Sequence, residues 1–302
     1  MWILSICTER SLVSSNCDLQ YGHLTFLSHL HLWGSSFDIQ IGGVFSSKNT
    51  PNSVSTSFAG ISLIDYYSVN KSGFILDLIK RVREDIFKVF LVDNDNSFFL
   101  YSTQHSNIII NQNALVLRFL FLSDKISPLT DNQFGICKKI LSEVILSKQT
   151  KEGFWPYNID SNQRLDFDYH QGFIIEALID ISNNERCKSS LISKTIERGL
   201  YFYKNSLFHP SGRSTWKRYG NWPVDIHDLC QGIVTFSKSG NKEDVFFADT
   251  IISWTLKNMR DKSGYFYYHR WPRFTNKIYY NRWSQSWACL ALATNLRNNQ
   301  DG

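Results

Sequence analysis

The sequence is poor in the features that announce the simplest function classes. Its six cysteines, at positions 7, 17, 137, 187, 230 and 289 of 302, form no CxxC pair and no tight cluster. That spacing excludes a disulfide framework and a zinc finger, and makes buried free thiols in a reducing compartment the expectation. No GxGxxG or Walker A run is present, so nucleotide binding has no motif to stand on. The pair His29 and His31 has no HExxH context, and neither a metal nor a cofactor is expected. Long apolar runs are missing as well. The most apolar stretch, 107–122, is broken by Asn111, Gln112, Asn113 and Arg118, whereas a spanning helix wants roughly 20 apolar residues. The opening MWILSICTERSLVSS has a short apolar run with no basic residue before it and Glu9 and Arg10 close behind, unlike a secretory leader. The expectation is a soluble, cytoplasmic protein with no membrane span.

What is present argues for a packed core. Hydrophobic residues make up 43% of the chain and aromatics 15%, which excludes a disordered tail, a coiled coil and a collagen-like fibre. The net charge of +5 is too mild to call for nucleic acid. The basic, aromatic stretch 257–282 repeats features found elsewhere in the chain, so no nucleic-acid partner is expected.

Four segments, 73–91, 134–148, 191–207 and 242–260, carry apolar residues at helical spacing with a polar opposite side. Between them lie 57–67, 113–122, 172–181, 231–236 and 287–296, apolar nearly all round and therefore buried on every side if helical. The polar residues that open these inner segments, Thr56, Asn111, His170, His227 and Arg282, step by 55, 59, 57 and 55. A second marker agrees. Asn96, Gly153, Gly212 and Gly264, each leading an aromatic cluster, step by 57, 59 and 52. Hairpins of this size cannot bury their apolar faces alone and must stack on their neighbours. Inner helices with polar tips favour closure around a polar-mouthed pocket.

Three stretches, GFWPYN…DFDYHQGFIIEAL, WPVDIHDLCQGIVTF and GYFYYHRWPRFTNKIYYNRWSQSWACLALA, resemble the (α/α) toroid, or six-hairpin glycosidase-like, superfamily. They look most like uncharacterised bacterial toroid proteins of surface-polysaccharide biosynthesis. More distantly they resemble glucuronyl C5-epimerase C-terminal domains and uronate lyases. The resemblance spans about residues 37–296. It implies an all-α toroid of about five to six helical hairpins over residues 51–302, preceded by a less regular segment or incomplete first hairpin over 1–50. Gln149 to Trp155 also fits the QxxxGxW pattern of terpene cyclases, but no Asp-rich diphosphate signature accompanies it.

The leading candidate for chemistry is a doubled Asp-x-His, Asp168-Tyr169-His170 and Asp225-Ile226-His227, 57 residues apart at the starts of two inner helices. Aspartate there is a favoured N-cap, which by itself explains Asp168 and Asp225. Histidine titrates near neutral pH and suits acid–base work. Tyr268, Arg270, Tyr280, Arg282, Trp283 and Gln285 form a second cluster, with Tyr265, Tyr267, His269 and Tyr279 alongside. Aromatic faces stack on sugar rings, and an Arg fork takes a carboxylate or sulfate. Trp155 and Trp222 are further stacking candidates, and Asn111 and Asn113 open another inner helix.

The resemblance implies a carbohydrate-active protein of bacterial surface-polysaccharide metabolism, acting on an acidic, uronate-containing oligo- or polysaccharide by proton abstraction, as an epimerase or lyase. His170 or His227 would be the base, a tyrosine such as Tyr268 the acid, and Arg282 with Asn111 the carboxylate clamp. Two alternatives stand beside it. One is a glycoside hydrolase using paired carboxylates among Asp166, Asp168 and Asp225, while Glu176, inside an apolar segment, is read either as a lone carboxylate or, equally, as a core-facing group bonded to a neighbouring helix. The other is a saccharide-binding or assembly protein without catalysis. The sugar, the linkage and the oligomeric state are not legible.

Overall fold

A computed structural model of the chain describes residues 20–21, 24–27, 30–41, 44–105, 107–159, 168–216, 220–278 and 280–300. Cys7, Cys17, His29, Asp166, Tyr279 and the side chain of Arg282, all considered above, lie outside the described set. The chain divides into two compact units. One takes Met1–Lys148, Asn158–Gln163 and Asn184–Cys187; the other takes Gln149–Tyr157, Arg164–Asn183 and Lys188–Gly302.

The first unit begins with short antiparallel strands: β1 (Gln20–Tyr21), β2 (Leu24–Leu27) and β3 (Leu32–Ser35) in one sheet, then the pair β4 (Ile39–Ile41) and β5 (Val44–Ser46). Helix α1 (Ser53–Val69) follows, capped by the Asn52 side chain, which accepts the Ser55 N–H at 2.7 Å. The amphipathic α2 (Gly73–Phe90) buries Ile75, Leu78, Ile79, Val82 and Ile86 and turns its lysines outward. A small ribbon, β6 (Leu91–Val92) with β7 (Phe98–Phe99), leads to α3 (Ile110–Asp124), which is buried almost throughout. Thr130 and Gln133 form a capping box for α4 (Asp131–Ile140), and wider helical turns extend it to Lys148.

In the second unit α5 (Tyr169–Ser182) pairs with α6 (Ser190–Leu207), and α7 (Ile226–Lys238) with α8 (Lys242–Asn258). The strands β8 (Val224–Asp225), β9 (His269–Arg270) and β10 (Thr275–Asn276) form one sheet in the order β10-β9-β8. The wide turn Asn281–Gln285 then opens α9 (Ser286–Gln300), which packs on α7. Inner helices approach closely where glycine removes a side chain. A Cβ on Gly172 of α5 would stand 2.6 Å from Gln231 Cγ of α7.

Every helix predicted from the periodicity is present. The fully apolar segments are α1, α3, α5, α7 and α9, and the half-polar ones are α2, α4, α6 and α8. One expectation needs correcting. In α9, Cys289 is exposed and Leu296 is 62% exposed, so this helix is not dry on all sides. Its principal partners are α7 and the preceding turn, whereas α5 and α7 are each also covered by the helix that follows. Of the two readings of Glu176, the core-facing one bonded to a neighbouring helix holds. Lys238 Nζ lies 3.2 Å from it and 2.6 Å from Asp180, and Gln231 donates to its other oxygen at 3.1 Å. Among the described cysteines, Cys137, Cys187 and Cys230 are buried and free.

Candidate active site

The two Asp-x-His motifs begin as helix caps. Asp168 accepts the His170 N–H at 3.0 Å, and Asp225 accepts the His227 N–H at 2.8 Å. Each carboxylate then does a second job. Asp168 Oδ1 also takes the His170 ring, Nδ1 to Oδ1 2.6 Å. Burial pushes the Asp168 carboxyl up, but the charge of the imidazole and its hydrogen bonds outweigh that and hold it below the ordinary range. Asp225 gives its free oxygen to a different imidazole, His269 on β9, with Nε2 at 2.9 Å. Pairing of β9 with β8 places Asp225 opposite His269 and so sets this contact. The second unit therefore holds two carboxylate–imidazole pairs, Asp168–His170 and Asp225–His269. The carboxylate fixes which ring nitrogen carries the proton and leaves the other able to move one.

His227 is the unusual member. It is 1% exposed, and neither ring nitrogen has a hydrogen-bond partner among the described residues. Its ring stacks on Tyr169 (3.9 Å between centroids, 18°) and lies against Trp287 at 4.3 Å, Trp283 at 4.9 Å and Phe173 at 5.8 Å. Desolvation, with help from His170, lowers its pKa to about 3, so the ring is neutral at neutral pH. Tyr169 also touches the His170 ring, at 4.3 Å. One phenol thus contacts both predicted imidazoles. The same Tyr169 N–H donates to Asp228 at 3.0 Å, a buried carboxyl driven well up by desolvation and by the charges of Asp225 and Asp168.

Asp228 was not apparent from the sequence, although a signal for it exists. Four inner-helix side chains each grip one residue of the segment that precedes their helix, by both its N–H and its C=O. Thr56 holds Trp33, Asn113 holds Phe99, Gln171 holds Trp155 and Gln285 holds Phe266. With Asp228 in fourth place the spacings are 57, 58, 57 and 57, more regular than the markers chosen by polarity alone. Asp228 breaks the series, because it holds the first residue of the neighbouring inner helix.

This clamp settles the place of several candidates. Asn113 and Gln285 spend their amides on backbone. Trp155 is 1% exposed with its ring against Gly199, so it offers no face to a sugar. Trp222 is half-buried under the Arg213 guanidinium, 5.0 Å above its ring. Arg270 donates to the Asn258 carbonyl at 2.6 Å, at the end of α8. Tyr268 stacks on His269 at 3.8 Å and meets Tyr280 at 5.0 Å, and burial with the nearby Asp225 charge raises its phenol. Trp283 and Tyr280 are exposed, and Arg282 sits in the wide turn before α9. Asn111 belongs to the first unit, its side-chain oxygen buried without a partner. No cluster of three metal-ligating side chains occurs among the described residues, and no described helix is long and apolar enough to cross a membrane.

No family model matches this sequence, and neither does any curated protein. Solved structures do. A sugar epimerase from a ruminal bacterium is similar at 12% identity, covering 99% of this chain and 82% of that one, with a TM-score of 0.69. An α-mannanase of glycoside hydrolase family 76 from Bacteroides thetaiotaomicron gives 13% identity, 88% and 78% coverage and 0.67. A cellobiose 2-epimerase from Bacillus thermoamylovorans gives 13%, 82% and 72%, and 0.63. The fold is that of the (α/α) toroid proteins, as the sequence led one to expect.

Proposed function

We propose that this chain is a carbohydrate-active enzyme that moves a proton at a carbon of an acidic, uronate-containing saccharide, by epimerisation or elimination, in bacterial surface-polysaccharide metabolism. The observation that carries this reading is the pair of carboxylate–imidazole couples, Asp168–His170 and Asp225–His269, set around Tyr169 and His227. The epimerases and the mannanase of the same fold give the carbohydrate part its support.

In this mechanism His170 is the base. Its Nδ1–H is committed to ionised Asp168, so Nε2 holds the lone pair that takes the proton next to the carboxylate of the sugar. Arg282 neutralises that carboxylate, which acidifies the carbon. Tyr268, whose raised phenol keeps its proton, returns a proton to the carbon or to the leaving oxygen. His227, neutral and enclosed, supplies a polar wall that does not compete for the proton. Asn111 and Asn113 stand in the other unit, and no step is assigned to them.

The test is solvent exchange. In heavy water, uronate oligosaccharides gain deuterium at the carbon next to the carboxylate on epimerisation, or acquire an ultraviolet-absorbing unsaturated end on elimination, and His170→Ala slows either by about 10²–10⁴-fold. Unchanged turnover in both His170→Ala and His227→Ala overturns the proposal. A hydrolytic reading has one observation in its favour. Asp168 is held low and Asp228 is driven high, and such a split marks acid and base carboxyls in other sites. New reducing ends without deuterium gain or ultraviolet-absorbing unsaturated product favour that alternative.

A further inference from the structure

One group of side chains in the second unit has no task in the mechanism above. The hairpin from β9 to β10 turns through Trp271, Pro272, Arg273 and Phe274, closed by the Trp271 N–H donating to the Phe274 carbonyl at 2.7 Å. The turn rises directly from the His269 that Asp225 holds. Its rings form a series. His269 and Trp271 are 5.5 Å apart, Trp271 and Phe274 are 5.4 Å apart, and Tyr280, Tyr268 and His269 follow at 5.0 and 3.8 Å on the other side. Exposure grows along it, from the His269 side chain at 14% through half-buried Trp271 to Phe274 at 63%. A single exposed ring is ordinary, but a contiguous series of rings that ends in one and is rimmed by polar groups marks an interaction site. Arg273 and Lys277, both exposed, are the rim here.

We propose that the Trp271–Phe274 turn is an outer subsite for an acidic saccharide chain whose reacting residue lies at His269 and His170. This rests on the proposed function and narrows it, because the substrate becomes an oligomer or polymer. Successive sugar rings of a glycan are spaced about as these side-chain rings are, and aromatic faces bind the apolar faces of sugars. Arg273 and Lys277 supply the countercharge for uronate carboxylates. A lipid surface suits the same exposed Phe274, but it gives no reason for rings to continue inward to an imidazole bonded to a buried carboxylate.

The experiment compares binding of polygalacturonate and digalacturonate by titration calorimetry, with alginate, hyaluronan and a neutral mannan as further polymers. His170→Ala serves as the background, so that turnover does not interfere. The expected result is a clear preference for an acidic polymer over its dimer. Phe274→Ala lowers that preference about tenfold, equivalent to about 1.4 kcal/mol. Arg273→Gln weakens acidic polymers and leaves mannan unaffected. Phe246→Ala, at a still more exposed phenylalanine on α8, is the surface control and changes nothing. Phe274 has little to lose on folding, so this variant keeps the test valid if Trp271→Ala misfolds. If no polymer is favoured over its dimer, or if Phe274→Ala keeps the preference, the subsite does not exist. Binding to phosphatidylglycerol vesicles that Phe274→Ala abolishes, with polymer affinity untouched, assigns the turn to membranes and overturns the proposal. Length preference without deuterium exchange or unsaturated product in the native chain retains the subsite and removes the reaction; either reaction without length preference does the opposite.

Discussion

His227 makes a prediction that separates folding from function. An imidazole with pKa about 3 in the folded chain and 6.5 in the unfolded one binds its proton preferentially when the protein unfolds. Between those two values the unfolded state carries the extra proton, so stability is complete above pH 6.5 and is lost as pH falls. Two pH units below 6.5 the loss is about 3 kcal/mol, at about 1.4 kcal/mol per unit. Replacing the ring with one of similar shape and no nitrogens, His227→Phe, removes this sensitivity. It also removes two buried nitrogens without partners, worth about 1–3 kcal/mol at pH 7 in a site that four aromatic neighbours already enclose. Urea unfolding of both proteins, followed through tryptophan emission at pH 7 and 4.5, checks this, since Trp283 and Trp287 report on the site directly. The variant is expected to be the more stable at pH 7, and its advantage is expected to widen by about 3 kcal/mol at pH 4.5. Parallel acid curves, or a variant weaker at neutral pH, refute the picture of a dry, neutral, unpartnered imidazole.

Two further outcomes follow from the scaffold. Gly153 and Gly264 share φ +102°, but a Cβ on Gly153 meets the Arg198 carbonyl while Gly264 has open space around it. Gly264→Ala therefore costs only the backbone strain, about 1–2 kcal/mol, and Gly153→Ala costs clearly more, read as the difference in thermal midpoint. Lys238→Met removes the ammonium that Glu176 and Asp180 share and is expected to cost about 3–5 kcal/mol in chemical denaturation, most of it recovered when Glu176→Gln and Asp180→Asn are added.

The helices were legible because their signal is local. An apolar stripe such as Leu78, Val82 and Ile86 can be read from spacing, and a helix apolar all round, such as α5, names its own burial. Glycine-led turns were legible for the same reason, since Gly153, Gly212 and Gly264 all take positive φ. The site was legible only where the repeat doubled a motif. Asp168 and Asp225 cap helices as expected, but their partners diverge, one taking the next histidine and the other a histidine 44 residues away. No spacing rule distinguishes the two outcomes, because strand pairing between β8 and β9 decides the second. Trp155 misled for a similar reason. An aromatic in a turn reads alike whether its ring faces a pocket or, as here, a glycine on the neighbouring helix.

The clamp that recurs through the chain touches only main-chain atoms of the residue it holds. Trp33, Phe99, Trp155 and Phe266 are all aromatic and all buried, between 0% and 8% exposed, so each held residue is fastened twice, once through its main chain and once through its ring. One residue thereby sets both the path of its segment and the packing of the core, and truncating any of the four rings loosens both at once.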